Sequence, residues 1–187
     1  MSKRRLLVVL VCAAVTAAAT CGDDKATTSP APKYPATADG LKKMMEDVLA
    51  AAKSDDTKLT EMVAAMPLPQ PEAWFKKVFD DETAARLVKE YQTMLGKDFT
   101  KQGKELFKGC LQQERTQVGI TEIKDANDQA ATGLQSDAIK AMKNPVPLYA
   151  VRFTKAGETL GTALWSFVWT DDAWRLVGKM RMVKPAQ

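Results

Sequence analysis

The 187-residue sequence contains no histidine and only three cysteines. Without histidine, neither a Ser-His-Asp nor a Cys-His nucleophile system can form, and every zinc site with an imidazole ligand is excluded. Cys12 and Cys21 lie near the N-terminus, so Cys110 has no disulfide partner in the remainder of the chain. We expect Cys110 to be a small buried residue rather than a reactive thiol.

The chain also lacks a Gly-x-Gly-x-x-Gly motif and a phosphate loop. Its acidic residues cluster where turns and helix ends are expected, as at Asp55-Asp56 and Asp80-Asp81-Glu82. The second cluster has enough carboxylates for a metal, but it fits the beginning of a helix better, where negative charge is favourable. The pattern therefore predicts no catalytic residue, no metal ligand and no cofactor.

The charge balance excludes a further class of protein. The formal net charge of +4 falls to +1 if the N-terminal residues Lys3, Arg4 and Arg5 are removed. A nearly neutral domain without a basic stripe is not typical of nucleic-acid binding, so we expect no nucleic-acid partner.

The first twenty residues have the pattern of an export signal. Basic residues at Lys3–Arg5 precede the apolar stretch Leu6–Val15, which is too short to span a bilayer comfortably. Small residues then occupy positions 17–20, directly before Cys21. We therefore expect residues 1–20 to be a signal peptide and the protein to act outside the cytoplasm.

The segment Ala18-Ala19-Thr20-Cys21 resembles the lipobox of bacterial lipoproteins. The resemblance implies that the sulfur of Cys21 carries a diacylglycerol, which would anchor the protein to a membrane of the cell envelope, facing the periplasm or the exterior. Two alternatives stay open. Ala17-Ala18-Ala19 also satisfies the small-x-small rule for ordinary cleavage, which would release a secreted soluble protein, and the apolar segment could stay as an uncleaved anchor.

Beyond the signal, the composition predicts a tether and one domain. Residues 21–36 are rich in Asp, Thr, Ser, Ala and Pro and read as a flexible tether. Residues 37–113 show helical apolar periodicity, and residues 116–183 show strand alternation interrupted by one short helix. The order predicts an α+β domain over residues 37–184, with N-terminal helices packed on a curved antiparallel sheet of about four strands.

The last three predicted strands, at about 148–154, 159–170 and 173–182, allow registers to be assigned. A two-residue turn at Asp171-Asp172 would pair Trp169 with Trp174, Phe167 with Leu176, and Trp165 with Gly178. For the hairpin before it, we expect a three-residue loop, 155–157, with Gly157 at positive φ. This loop would place Val151 opposite Gly161 and Tyr149 opposite Ala163.

These registers divide the sheet into an aromatic face and a polar face. The aromatic face would bury the tryptophan rings on one side of the sheet; it comprises Tyr149, Val151, Phe153, Trp165, Phe167, Trp169, Trp174, Leu176 and Met180. The opposite face would be solvated; it comprises Arg152, Ser166, Thr170, Arg175, Lys179 and Arg181. Its basic residues could also form an anion-binding patch, although an ordinary solvated face is the simpler interpretation.

The pieces Trp165-Ser166-Phe167-Val168-Trp169 and Ala173–Lys179 resemble the terminal hairpin of the nuclear-transport-factor-like superfamily. The resemblance implies a cone-shaped sheet whose mouth is filled by helices. It also implies either a ligand-binding or interaction module or, as the alternative, an isomerase or hydrolase.

The aromatic face could accordingly line a pocket or serve only as core. The candidate lining residues are Tyr149, Trp165, Phe167, Trp169 and Trp174. We expect a non-enzymatic module that binds an envelope protein or a small apolar ligand and contacts the membrane through its lipid anchor.

Overall fold

The structure, a computed structural model, describes residues 33–182. The predicted signal peptide, Cys21 and most of the predicted tether lie outside these residues. The described elements, in chain order, are α1 (Ala38–Ser54), α2 (Asp56–Ala64), α3 (Pro71–Val78), α4 (Asp81–Leu95), α5 (Phe99–Gln112), β1 (Gln117–Ile123), α6 (Gly133–Ala141), β2 (Leu148–Thr154), β3 (Gly161–Thr170) and β4 (Ala173–Leu176). Within residues 33–182, no helix has the length and apolar character needed to cross a bilayer.

Four of the six described helices, α1, α2, α4 and α6, begin after a residue whose side chain caps them. Thr37 accepts a hydrogen bond from the N–H of Gly40, and Asp80 accepts one from the N–H of Thr83. Thr132 and Gln135 form a reciprocal capping box at the first turn of α6. Each cap satisfies backbone N–H groups that have no partner inside the helix. The acidic residues of α4 thus stabilise the beginning of a helix.

The four strands form one antiparallel sheet in the order β1-β2-β3-β4. Five helices precede the first strand, and α6 is the short helix between β1 and β2. The predicted α+β class, with N-terminal helices packed on a four-stranded antiparallel sheet, is therefore confirmed.

Helices cover both faces of this sheet. On one face α1, α2 and α5 form a core with sheet residues that include Val151, Phe153 and Phe167. On the other face α3, α4 and α6 form a second core with Leu148 and Val168. The prediction of one solvated polar face is wrong, because Leu148, Val168 and Ser166 are buried on that side.

The predicted register of β3 with β4 is correct at the turn and wrong farther from it. Phe167 pairs with Leu176, and Trp169 pairs with Trp174, as expected. Trp165 does not pair with Gly178, because β4 ends at Leu176. The N–H of Val177 instead donates to the carbonyl of Ser166 at 2.9 Å, and Gly178 then adopts a φ of 76° that turns the chain away from β3.

The predicted register of β2 with β3 is wrong. Val151 lies opposite Leu164, and the loop between the strands runs from residue 155 to 160. Gly157 does have the expected positive φ, at 79°, inside this loop. A β-bulge then shifts the pairing so that Tyr149 lies opposite Phe167. From the observed pairing of Val151 with Leu164, uniform alternation would turn Phe167 to the opposite face, and the bulge returns it to the face of Val151.

The residues that were expected to share the aromatic face lie in different environments. Trp174 is 2% exposed, whereas Trp165 and Trp169 are only half-buried. Met180 belongs to the second core rather than to the aromatic face. Ser166 is fully buried and accepts a hydrogen bond from Nε2 of Gln135 at 3.3 Å. A polar residue in this strand therefore marks a buried contact with α6.

Candidate ligand-binding site

A cavity of about 560 Å³ lies at the edge of the sheet, beyond the end of β4. It opens between α4 from one helical layer and α5 from the other, with the first half of β3 along one side. The lining is mainly apolar and includes Phe75, Leu87, Phe99, Leu106, Leu164 and Trp165. If β4 continued beyond Leu176, it would pair with this part of β3 and fill the space.

The cavity exists because the chain leaves β3 at Gly178. Gly178 and Met180 both have positive φ values, 76° and 46°. The turn carries Met180 into the core formed with α3 and α4. The carbonyl of Arg181 then accepts a hydrogen bond of 2.6 Å from Nη1 of Arg86. These contacts hold the chain against α4 and leave the space beside β3 open.

Tyr91 lies at the floor of the cavity, where its hydroxyl connects two segments. The hydroxyl accepts a hydrogen bond from the N–H of Leu68 at 2.7 Å and donates to the carbonyl of Leu176 at 2.9 Å. Burial raises the pKa of Tyr91 to about 12. The phenol is therefore neutral at pH 7, and its proton is already held by a backbone carbonyl. Its role in this arrangement is structural.

Charged residues stand at the rim of the cavity. Glu90 forms an ion pair of 3.7 Å with Arg86. Lys179 and Arg181 also line the cavity but form no ion pair within residues 33–182. The ammonium of Lys179 lies 4.9 Å from the centre of the Trp165 ring. The rim therefore offers positive charge above an apolar interior.

The five residues proposed as pocket lining are distributed over different environments. Trp165 lines the large cavity. Trp169 and Trp174 border a smaller cavity of about 220 Å³ near Tyr34. Tyr149 and Phe167 are buried in the first core and border neither of these cavities. The structure does not bring the five residues together at one pocket.

Tyr149 packs edge-on against Trp174, with ring centres 4.7 Å apart. Its hydroxyl donates to Oε1 of Glu122 at 2.8 Å, and burial, with the neighbouring carboxylate, raises its pKa to about 12. The indole N–H of Trp174 donates to the carbonyl of Pro35 at 3.0 Å. Pro35 and its neighbour Tyr34 belong to the predicted tether, so the end of that segment contacts the domain.

The basic residues of the predicted polar face do not form one patch. Arg175 is half-buried and donates to the carbonyl of Ala65. Arg152 is exposed, and its guanidinium lies 3.5 Å from the carbonyl of Thr159. Lys179 and Arg181 follow β4 and stand at the cavity instead. Of the four basic residues, Lys179 and Arg181 line the large cavity, whereas Arg152 and Arg175 do not.

Among the described residues, no group of three or more cysteine and acidic side chains is placed to hold a metal ion. Cys110 is buried, as expected, and burial raises the pKa of its thiol. The helical side of the cavity was missed by the pattern analysis of the strands. Met94 follows the apolar spacing of α4 in the sequence. In the structure it lies at the open side of the cavity and is 40% exposed.

The chain matches no protein-family model, and no significantly similar curated protein or solved structure was found.

Proposed function

We propose that the protein is an exported lipoprotein, tethered to a membrane of the cell envelope through Cys21, whose α+β domain binds a ligand with apolar groups. The observation that supports this function is the cavity between α4, α5 and β3. Its volume of about 560 Å³ falls inside the range of about 300–1,000 Å³ that is typical of ligand sites.

The lining also has the composition expected of a binding site. Apolar side chains such as Leu87 and Leu106 form the interior, and the charged groups of Glu90 and Lys179 stand at the rim. An apolar interior supplies affinity by removing ligand surface from water, whereas rim charges orient the ligand. The enzymatic alternative, an isomerase or hydrolase of the nuclear-transport-factor-like superfamily, stays a prediction.

Native mass spectrometry of the domain purified from its own membrane tests the binding function. We expect a non-covalent mass that accompanies the folded domain and disappears in a denaturing spectrum of the same sample. The denaturing spectrum is the control, because a lipid bound covalently to the protein would stay in it. A domain that carries no such mass and binds no added apolar compound would contradict the proposal.

Replacement of Cys21 with Ser tests the tether. Two acyl chains contribute about 0.8 kcal/mol for each buried CH₂, enough for stable anchoring. We expect Cys21→Ser to leave the membrane fraction or to accumulate as uncleaved precursor, while the control Cys12→Ala stays in the membrane. Mass spectrometry of the wild-type N-terminal peptide decides between the alternatives. An unmodified terminus beginning at Thr20 would contradict lipidation and support ordinary cleavage.

A further inference from the structure

The first half of β3, Gly161–Trp165, has a strand on only one side. β2 pairs with it along one edge, and β4 pairs only with Phe167–Thr170. Within residues 33–182, no backbone group hydrogen-bonds to the opposite edge of this half-strand. This edge borders the cavity, since Ala163, Leu164 and Trp165 all line it.

The alternation of the ladder shows which backbone groups point out from this edge. The backbone groups of Ser166 hydrogen-bond on the β4 side. Because backbone groups alternate in direction along a strand, those of its neighbour Phe167 point toward Tyr149 on β2. Val151 lies two residues from Tyr149 on β2, so its backbone groups also point toward β3. The N–H and C=O of its partner Leu164 therefore point toward β2. The N–H and C=O of Ala163 consequently point outward, beside the cavity.

The edge that β4 presents is covered. The N–H of Leu176 on β4 donates to the carbonyl of Met66 at 2.8 Å, and Pro67 forms a parallel bridge with the same residue. Proteins commonly cover or charge their edge strands, because a free edge can pair with another chain. The open half of β3 departs from this protection.

Exposed apolar side chains flank the open edge. Leu160, directly before β3, is 78% exposed, and Met94 on α4 is 40% exposed. Lys179 and Arg181 place positive charge near the Trp165 end of the edge. The region thus combines unpaired backbone groups, apolar surface and a cationic rim.

We propose that the ligand of this cavity is an extended peptide segment of a partner protein, which adds as a strand to the edge at Gly161–Trp165. Its apolar side chains enter the space between α4 and α5, and an acidic group lies beside Lys179. This proposal rests on the proposed binding function and names its ligand class. A hydrocarbon chain would displace water from the outward N–H and C=O of Ala163 without replacing its hydrogen bonds, whereas a peptide backbone replaces both.

Panning a phage library of random ten-residue peptides on the lipid-free domain supplies a defined probe. The highest-affinity peptide is synthesised with a fluorophore and titrated against two variants of the edge. Ala163→Pro removes the outward N–H, and proline is tolerated at an edge position whose N–H faces solvent. Ala163→Val changes the side chain but keeps the N–H.

We expect Ala163→Pro to bind the peptide about tenfold more weakly than Ala163→Val, which keeps the N–H at the same position. Lys179→Glu should also weaken binding of the peptide, and 0.5 M salt should reduce the difference in affinity between this variant and wild type. Equal urea midpoints of wild type and Ala163→Pro would show that the fold is retained. If Ala163→Pro proves unstable, slowed amide exchange at Ala163 in the wild-type complex gives the same test.

Two results would overturn strand addition. One is full affinity of folded Ala163→Pro, together with unchanged amide exchange at Ala163. The other is failure of the library to yield a binder while lauric acid or an apolar dye occupies the cavity, which would preserve the binding function but identify an amphiphile. A domain that binds neither peptide, fatty acid nor dye would contradict the binding function itself.

Discussion

Tyr91 shows how a single hydroxyl connects the helical layer to the strand that ends at the cavity. Its ring is 2% exposed, and its hydroxyl hydrogen-bonds to the backbone of Leu68 and Leu176. Both backbone groups are in buried residues. The hydroxyl therefore satisfies two polar groups that water does not readily reach.

We expect Tyr91→Phe to lower the free energy of unfolding by about 1–3 kcal/mol, because it leaves the N–H of Leu68 and the carbonyl of Leu176 without this partner. Urea denaturation measures the change. Tyr34→Phe is the control: it removes a hydroxyl that contacts Asp47 in a half-buried position and should cost less. A smaller loss for Tyr91→Phe than for Tyr34→Phe would contradict this account.

Asp56 connects α2 to α5 by accepting hydrogen bonds from Lys104 and Lys108 at 2.5 and 2.7 Å. These ammonium groups lower the pKa of Asp56 to about 2, from the ordinary 3.8. A lowered carboxyl pKa contributes stability above the unfolded-state pKa, and this contribution is lost as pH falls through the folded value.

The urea midpoint of wild type should therefore fall more steeply between pH 4 and pH 2 than that of Asp56→Asn. Glu105→Gln, which removes an exposed carboxylate in the middle of α5 outside any ion pair of the described residues, is the charge-matched control. High salt should reduce the difference, because both partners of the pair are accessible to solvent. Parallel pH profiles for wild type and Asp56→Asn would refute the assigned ion pair.

At the scale of the elements, the β3–β4 hairpin divides its tryptophans between core and site. Trp174 packs edge-on against Tyr149 and Trp169, with ring centres 4.7 and 5.3 Å apart. Trp165 lies at the cavity under Lys179. Two aromatic residues of the same hairpin therefore serve different purposes.

We expect Trp174→Ala to lower the free energy of unfolding by about 3–5 kcal/mol, as is typical for deletion of a buried aromatic side chain. Trp165→Ala should cost less than half as much, since its ring is half-buried. Chemical denaturation followed by far-UV circular dichroism compares the two without relying on tryptophan emission. Equal losses would show that Trp165 also belongs to the core.

The elements themselves could be predicted because their signals are local. Apolar residues such as Leu41, Met45 and Val48 recur at helical spacing and are buried in α1. The turn at Asp171-Asp172 likewise set the pairing of Trp169 with Trp174 correctly. The bulge before Phe167 could not be predicted from alternation, because an extra residue changes the face of every residue beyond it.

At the scale of the whole molecule, the site depends on how the two helical layers meet at the sheet edge. α4 and α5 belong to different layers, are joined by the short segment 96–98, and line the cavity together. This arrangement comes from contacts between residues that are distant in the chain, such as Arg86 with the carbonyl of Arg181. Strand alternation left the aromatic sheet face open as either a pocket or core, whereas the large cavity lies at the edge of the sheet.

Blocking the cavity mouth tests the central claim most directly. Thr93 lines the cavity from the exposed side of α4, whereas its neighbour Gln92 is exposed outside it. We expect Thr93→Trp to reduce the affinity for an apolar fluorescent dye at least about tenfold, by filling the mouth, and the control Gln92→Trp to bind as wild type does. Unchanged dye affinity in a folded Thr93→Trp variant would contradict the assignment of this cavity as the binding site.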